Sequence, residues 1–302
     1  MAMAADDLAA LMTLERTDEA TFLGHSPQVG WQRVYGGLVV AQALAAAVRT
    51  VEAARRPHSL HAHFLLPGDP GAAIAYHVTS LRDGGSFSTR RVEARQHGRL
   101  IFVATVSFQK PEADFLSHRA TMPDVPPPED LPDEETLLGR FAERMPENMR
   151  RYFSRPRPVS LRFCEPWRLL APQRPLGGPR RQRQHVWIRA SRPLGDDGTL
   201  HLCALAYASD MTLLDTALVP HGRNIFDRDI MMASLDHALW IHAPLRADEW
   251  LLFAQDSPVM AGGRALARGL VFARDGRLVA ATAQEGLIRP QRRRPDPAAS
   301  RW

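Results

Sequence analysis

Two patterns of apolar positions recur along this chain. From Gly36 to Val51 the run GGLVVAQALAAAVRTV consists of strong helix formers and is apolar on almost every face. A helix apolar all round has to be buried all round. Phe87 to Arg95 and Leu100 to Phe108 are instead rich in β-branched, aromatic and alternating residues, which predicts two strands with His97-Gly98 turning between them. Leu266 to Ala273 and Leu278 to Gln284 repeat that arrangement around Asp275-Gly276, the stronger hairpin dipeptide. One helix wrapped by a curved antiparallel sheet satisfies both patterns, and the many Ala residues of the helix let the sheet approach closely.

The hairpins belong to a longer internal repeat. GGSFSTRRVEARQHGRLIFVATVSFQ, beginning at Gly84, lies without a gap on GGRALARGLVFARDGRLVAATAQEGL, beginning at Gly262. Gly84 then falls on Gly262, Gly85 on Gly263, Arg90 on Arg268, Gly98 on Gly276, Arg99 on Arg277 and Leu100 on Leu278. One residue out of that register, His58-Ser59-Leu60 matches His237-Ala238-Leu239. A period this long indicates a duplicated domain, not a solenoid. In the second copy the helical segment is expected at Ala208-Ser209-Asp210 followed by MTLLDTAL, with Ser209 or Asp210 as its cap.

Between the copies, Pro111 to Pro158 is rich in Pro and charge, and its one convincing element is an amphipathic helix over Glu134 to Phe153, interrupted by Pro146. It reads as a linker crossing the surface. Glu165 to Gln184, dense in Pro, Gly and Arg, reads as an exposed loop or a mobile segment, and the tail from Gln291 as frayed. The expected organisation is a first unit over 1–110 that includes an N-terminal helix, a Pro-rich linker over 111–158, a second unit over 159–290 and a basic tail over 291–302.

Composition narrows the class. With 302 residues, 45% hydrophobic and 24% charged, the chain can bury a substantial core, which excludes disordered, collagenous and coiled-coil classes. Thirty-eight Lys and Arg against 33 Asp and Glu leave a net charge of +5, and much of the excess lies in Arg174 to Arg183 and Arg289 to Arg294. Such stretches attract phosphorylated ligands as readily as nucleic acid, and solvated Arg is their plainest reading. Cys164 and Cys203 both sit in apolar or aromatic surroundings that read as strand, and no disulfide scaffold is present. The first sixteen residues carry early acidic groups and no apolar core with basic flanks, and no apolar run of about eighteen residues occurs. A cytoplasmic protein without membrane insertion is the expectation. His58, His61 and His63 share a strand without a local Cys or carboxylate to complete a tetrahedral site, so no metal is expected. No Walker A or dinucleotide glycine pattern follows a strand, which argues against nucleotide hydrolysis and redox cofactors.

The stretches VYGGLVVAQAL, HSLHAHFLLPGD, GGSFSTRRVEARQHGRLIF, LAYASDMTLLDTALVPHG, SLDHALWIHAPLRADEWLLF and DGRLVAATAQEGLIR together resemble the acyl-CoA thioesterase II (TesB-type) family. The resemblance covers both copies, in the family's order. It implies an α+β double hot-dog fold, two tandem copies of a central helix swaddled by a curved antiparallel sheet. It also implies hydrolysis of fatty acyl-CoA, of medium to long chain, to free acid and CoA. No cofactor is implied, since coenzyme A is part of the substrate, and acyl-CoA is the expected partner, with no nucleic acid. A homodimer or homotetramer is implied too. Carried over by motif, the catalytic Asp falls on Asp210, the hydroxyl on Ser234 where the family often has Thr, and the Gln on Gln284, three groups that together hold a water. Leu38 departs from the polar residue expected after the Gly pair, which bears on the acyl channel.

Thioester hydrolysis requires an activated water, donors for the oxyanion and a leaving thiolate, which departs easily. Asp210 would take a proton from a water also held by Ser234 and Gln284; direct attack by Asp210 through an anhydride is the alternative. In the repeat register Gln284 falls on Val106, while Ser234 and Asp210 fall near Arg55 and Tyr35, so the first copy lacks the trio. One site per chain is expected, with the first copy offering the amides of Gly37 and Leu38 at a helix N-terminus as donors. Duller roles exist for each residue: Asp210 as a helix cap, Ser234 as a strand or turn serine, Gln284 as a surface residue. Asp236-His237 invites a dyad reading, against which His58 in the other copy suggests a structural strand histidine. Two other functions share the architecture. An enoyl-CoA hydratase would need an Asp and a His a few residues apart, for which Asp215 and His221 are the nearest pair and spaced one residue too far. A non-catalytic acyl-CoA-binding protein would have lost one of the trio.

Overall fold

The computed structural model of the chain describes residues 6–28, 32–141, 143, 147, 150, 151, 154–165, 183–225, 227 and 229–291. The first half begins with a single turn, α1 (Leu8–Leu11), whose Ala10 amide donates to Asp7 Oδ1 at 3.0 Å. The short strands β1 (Glu15–Arg16) and β2 (Thr21–Gly24) pair as a hairpin. The all-apolar run follows as α2 (Gly36–Val48), in which every residue from Gly37 to Ala47 is buried. Its one polar side chain in that stretch, Gln42, is fully satisfied: Nε2 donates to the Leu11 carbonyl at 2.7 Å and to that of His25 at 3.1 Å, and Oε1 accepts from the Tyr76 hydroxyl at 2.8 Å. Around α2 curve β3 (Arg56–Phe64), β4 (Ile74–Asp83), β5 (Phe87–Gln96) and β6 (Arg99–Gln109). The predicted β5–β6 hairpin turns at His97 and Gly98, with φ of 50° and 73°.

After a helix α3 (Glu134–Phe141), the second half runs β7 (Val159–Phe163), β8 (Arg183–Ala190), α4 (Gly198–Ser209), a 3₁₀ helix over Leu214–His221, then β9 (Ile230–Ser234), β10 (Asp236–Ile241), β11 (Leu251–Ala261), β12 (Arg264–Ala273) and β13 (Leu278–Pro290). Among the described residues, all strands join one 13-stranded antiparallel sheet in the order β1-β2-β4-β5-β6-β3-β10-β13-β12-β11-β8-β7, with β9 added against β13. The two halves meet where β3 pairs β10, Leu60 opposite Leu239. Each curved half of the sheet wraps a helical segment, α2 in the first half and, in the second, α4 together with the 3₁₀ helix that follows it and packs on β8, β11, β12 and β13, the double hot-dog architecture.

The sequence reading of the second helix holds only in part: a 3₁₀ helix over Leu214–His221 overlaps the expected MTLLDTAL stretch, but the core α-helix starts earlier. It lies at Gly198–Ser209, upstream of Asp210, and is capped by Asp197, whose Oδ1 accepts from the Thr199 amide at 2.9 Å. Asp210 ends this helix, and Ser209 lies inside it, so neither caps a start. The register that superposes the hairpins carries Gly36 onto Leu214, into the 3₁₀ segment, because that segment and β9 separate the helix from the hairpins only in the second copy. For the same reason Cys203, read as a strand residue, is a buried helical one. Gly198–His221 is long and apolar enough to cross a membrane, yet 78% of its most apolar window is buried inside the protein, as befits a core helix.

The segment between the halves does more than cross the surface. Leu131 packs with Trp187, Trp250, Leu252 and Phe272 in a small core on the outer face of the second half of the sheet. The Trp187 indole donates to the Pro126 carbonyl at 2.9 Å, and Arg162 Nη1 donates to the carbonyls of Pro128 and Leu131 at 2.6 and 2.8 Å. Of the helix expected over Glu134 to Phe153, α3 accounts for the first eight residues, while Pro146 and Phe153 lie outside the described residues. So do 166–182 of the Arg-rich loop and 292–302 of the tail.

Candidate active site

The N-terminus of α2 faces the C-terminus of α4, and the glycine pair permits the approach. A Cβ on Gly37 would lie 2.4 Å from the Tyr207 carbonyl oxygen, and one on Gly36 would lie 2.8 Å from Asp210 Oδ2. Tyr35 locks the junction: its hydroxyl donates to the Tyr207 carbonyl at 2.8 Å, and the two rings meet edge to face with centroids 4.8 Å apart. Asp210 therefore sits at the positive end of α2 and accepts a hydrogen bond from the Gly37 amide.

Ser234 and Gln284 arrive from the sheet. Ser234 pairs with Gly286, and Gln284 lies two residues along β13, so both side chains stand on one face. Gln284 Nε2 donates to Asp210 Oδ1 and to Ser234 Oγ, each at 2.7 Å, and the Ser234 hydroxyl donates to Asp210 Oδ1 at 3.5 Å. The structure thus brings together the three residues singled out from sequence. Gln284 is fully buried and stands behind the other two, which line a cavity of about 910 Å³.

Burial pushes the Asp210 carboxyl up to about 6, opposed by the hydrogen bonds from Gln284, Gly37 and Ser234. Asp215 lines the same cavity and is pushed up to about 7 by burial and then by the Asp210 charge. Sequence reading considered Asp215 only as a partner for His221, and the structure separates them: His221 is exposed and lies off the cavity wall. The dyad reading of Asp236-His237 is likewise overturned. Asp236 Oδ1 accepts from the Glu285 amide at 2.7 Å, whereas His237, on the opposite face of β10, places Nε2 2.9 Å from Ser209 Oγ. Burial holds the His237 imidazole down to about 4, so it is neutral at pH 7.

Part of the cavity wall is apolar, with Leu38, Phe64, Phe102, Met211, Met231 and Met232. The apolar Leu38 belongs to this wall. Its amide donates to the Tyr35 carbonyl at 3.2 Å. Arg33, exposed, and Arg155, half-buried, bring positive charge to the same cavity. Neither was foreseen, since Arg155 belongs to the segment read as a linker and Arg33 carries no local motif. Among the described residues no group of His, Cys, Asp or Glu is placed to hold a metal ion.

A carboxylate, a hydroxyl and an amide gathered where two helices meet, beside an apolar cavity with basic residues, form the candidate active site of a hot-dog protein, and the fold alone does not say what it acts on. Comparison with known proteins is decisive. Residues 161–287 match the family model described as acyl-CoA thioesterase, and residues 25–109 match the acyl-CoA thioesterase N-terminal domain. The chain is 40% identical to "Acyl-CoA thioesterase 2" of Haemophilus influenzae, over 94% of this chain and 97% of that one. It is 38% identical to "Acyl-coenzyme A thioesterase 8" of Homo sapiens, over 93% and 88% of the two chains. The crystal structure of acyl-CoA thioesterase II TesB2 from Mycobacterium marinum superposes with a TM-score of 0.76 at 42% identity, covering 94% of this chain and 99% of the other. The chain belongs to the acyl-CoA thioesterase II family, and it is an acyl-CoA thioester hydrolase.

Proposed function

We propose that this enzyme hydrolyses fatty acyl-CoA of medium to long chain through attack of a water activated by Asp210. One observation carries the reading: Asp210 and Ser234 are tied together by Gln284 Nε2, at 2.7 Å from each, on the wall of the cavity. Both N–H groups of Gln284 are spent on this pair, so the amide fixes the carboxylate against the hydroxyl. Their remaining lone pairs accept from a water. The water oxygen bonds the thioester carbon as Asp210 takes its proton, the C–S bond breaks, and the proton passes to the departing thiolate. The first turn of α2, with the amides of Gly37 and Leu38, is the donor set we assign to the carbonyl oxygen as it gains negative charge. Substrate must displace their present acceptors, Asp210 and the Tyr35 carbonyl.

The cavity volume is at the upper end for small-molecule sites, and three unbranched Met side chains can adjust to the length of the acyl chain. Arg33 and Arg155 fit the phosphates of CoA. The test is release of free thiol from a series of saturated acyl-CoA esters. Rates that rise towards medium and long chains support the reading, and a maximum at acetyl-CoA overturns it. A single turnover in ¹⁸O water separates water attack from an anhydride: label belongs in the free acid, and label in the Asp210 carboxylate would show that Asp210 attacks. A hydratase is disfavoured by the separation of Asp215 from His221. A cytoplasmic homodimer or homotetramer completes the proposal, and light scattering showing only monomers at assay concentration would reject the assembly.

Two further results are expected. Ser234→Ala lowers kcat by roughly ten- to a hundredfold, the worth of one hydrogen bond to a charged group or its water, while Ser234→Thr keeps most activity. Equal losses in both variants would deny the hydroxyl its role. The base works only when ionised, so kcat/KM falls as pH drops through the Asp210 pKa of about 6 and is level above it. A flat profile from pH 5 to 8 would remove Asp210 as the base.

A further inference from the structure

Among the described residues two carboxyl groups line the cavity, and the chemistry above uses only Asp210. The other, Asp215, is half-buried, and among the described residues its carboxyl has no hydrogen-bond or ion-pair partner. Enclosed polar groups in native proteins find partners, so this one is left for something that enters the cavity. Its direction is fixed from behind. The chain stays helical from α4 towards the 3₁₀ helix, with Asp210 and Leu213 both in the right-handed region, so Asp210, Met211, Leu214 and Asp215 fall on one side. All four line the cavity. Thr212 and Thr216 face the sheet instead, where Gln255 of β11 donates from Nε2 to Thr212 Oγ1 at 2.6 Å and accepts at Oε1 from the Thr216 hydroxyl at 2.9 Å. Both threonines and Gln255 are buried, and this anchorage keeps Asp215 from turning inward for a partner of its own. The wall around it is apolar. Every residue of β9 from Ile230 to Ser234 lines the cavity, and Ile230 and Met232 pack in one cluster with Leu214, the neighbour of Asp215. Five residues of helix advance about 7 Å, so Asp215 stands well along this wall from the carboxylate that holds the water.

On the reading that fatty acyl-CoA is the substrate, we propose that Asp215 is a polar subsite of the acyl cavity, built for chains that carry a hydroxyl group several carbons beyond the thioester. A plain chain laid along Met231 and Met232 strips water from the Asp215 carboxyl and offers no partner in return. A hydroxyl at that depth restores the lost hydrogen bond. A hydroxyl also suits this carboxyl better than a charged group does. Burial, and then the Asp210 charge, push the carboxyl up to about 7, so both of its ionisation states are populated near neutral pH. A hydroxyl pairs with either state, whereas an ammonium group needs the ionised one and a second carboxylate the protonated one. A β-hydroxyl, only two carbons from the thioester carbon, falls short of Asp215.

The test is thiol release from dodecanoyl-CoA, its β-hydroxy derivative and a derivative hydroxylated at mid-chain, by wild type, Asp215→Leu and Asp215→Asn. Wild type is expected to favour the mid-chain hydroxy ester over the plain one by about tenfold or more in kcat/KM, the effect of one buried hydrogen bond, and to treat the β-hydroxy ester much as the plain one. In Asp215→Leu the preference disappears: the mid-chain hydroxy ester loses about tenfold, while the plain ester stays within about threefold or is hydrolysed faster. Asp215→Asn keeps most of the preference, because its amide still hydrogen-bonds a hydroxyl. A wild type without the preference overturns the subsite, as does a preference confined to the β-hydroxy ester or one that survives Asp215→Leu. Equal losses on all three esters in Asp215→Leu overturn it too, since they would assign Asp215 to the chemical step, the CoA moiety or the fold. No release from any of the three esters by wild type would instead sink the reading of fatty acyl-CoA as substrate.

Discussion

Asp210→Asn lowers kcat/KM for acyl-CoA hydrolysis by at least about a hundredfold, a loss of roughly 3 kcal/mol in transition-state stabilisation. The Asn amide is nearly the same shape and can still accept from Gln284, so the site keeps its outline and loses its base. The same substitution has a signature in stability. Burial raises the Asp210 pKa from 3.8 to about 6, so the folded chain holds a proton that the unfolded chain has already released between those values. Stability contributed by the protonated carboxyl is complete below about pH 4 and is lost as pH rises through about 6, a change of about 3 kcal/mol. Asn has no such proton to lose. The melting temperature of Asp210→Asn relative to wild type is therefore expected to climb from pH 4 to pH 7, just where activity has been lost. A difference that is flat across that range would mean that Asp210 is solvated and ionised throughout, and would undercut its role as a tuned base.

The fold was legible where local pattern and burial coincide. Gly36 to Val51 could be read as a buried helix because its apolar residues leave no polar face, and the hairpins at His97-Gly98 and Asp275-Gly276 carried their turns in the sequence. The second helical segment was read only in part: the stretch MTLLDTAL overlaps the 3₁₀ helix Leu214–His221, which packs on the sheet, whereas most of α4 lies upstream of the expected stretch, because sequence repetition reports register only where no segment has been added. The strands keep the repeat, whereas the 3₁₀ helix at Leu214–His221 and β9 displace α4. Asp210 drew attention as a possible helix start, yet it ends one helix and faces the start of the other, a relation that exists only after the two halves pack. Asp215, Arg33 and Arg155 were missed as cavity residues for the same reason: each is unremarkable beside its sequence neighbours and acquires meaning from what lies across the cavity. The trio itself was visible only through resemblance, since a Ser at a strand end and a Gln within a strand have no local signature of chemistry.

Gly37→Ala tests that packing relation and should cost both stability and activity. Helix propensity alone forecasts the opposite, because replacing Gly by Ala inside a helix stabilises by up to about 1 kcal/mol. Gly139 in α3 is a fair control: nothing lies within 4 Å of a Cβ built there, so Gly139→Ala should gain a few tenths of a kcal/mol or more. At Gly37 the new methyl meets the Tyr207 carbonyl oxygen at 2.4 Å and the Tyr35 ring at 2.6 Å. The first is backbone and the second is pinned by its hydroxyl to that same carbonyl, so neither can swing aside. Relief requires α2 and α4 to move apart, at an overpacking cost of about 1 to 3 kcal/mol beyond the propensity gain. Asp210 rides on the end of α4, and a displacement of about 1 Å in a reacting group is enough to cost about a hundredfold in rate. Urea melts and thiol release on the two alanine variants decide the matter. Loss of both stability and turnover in Gly37→Ala, with neither lost in Gly139→Ala, is the expected outcome. A Gly37→Ala protein as stable and active as wild type would mean that the helices are not held as close as the glycine pair allows, and that the carboxylate does not depend on the end of α2.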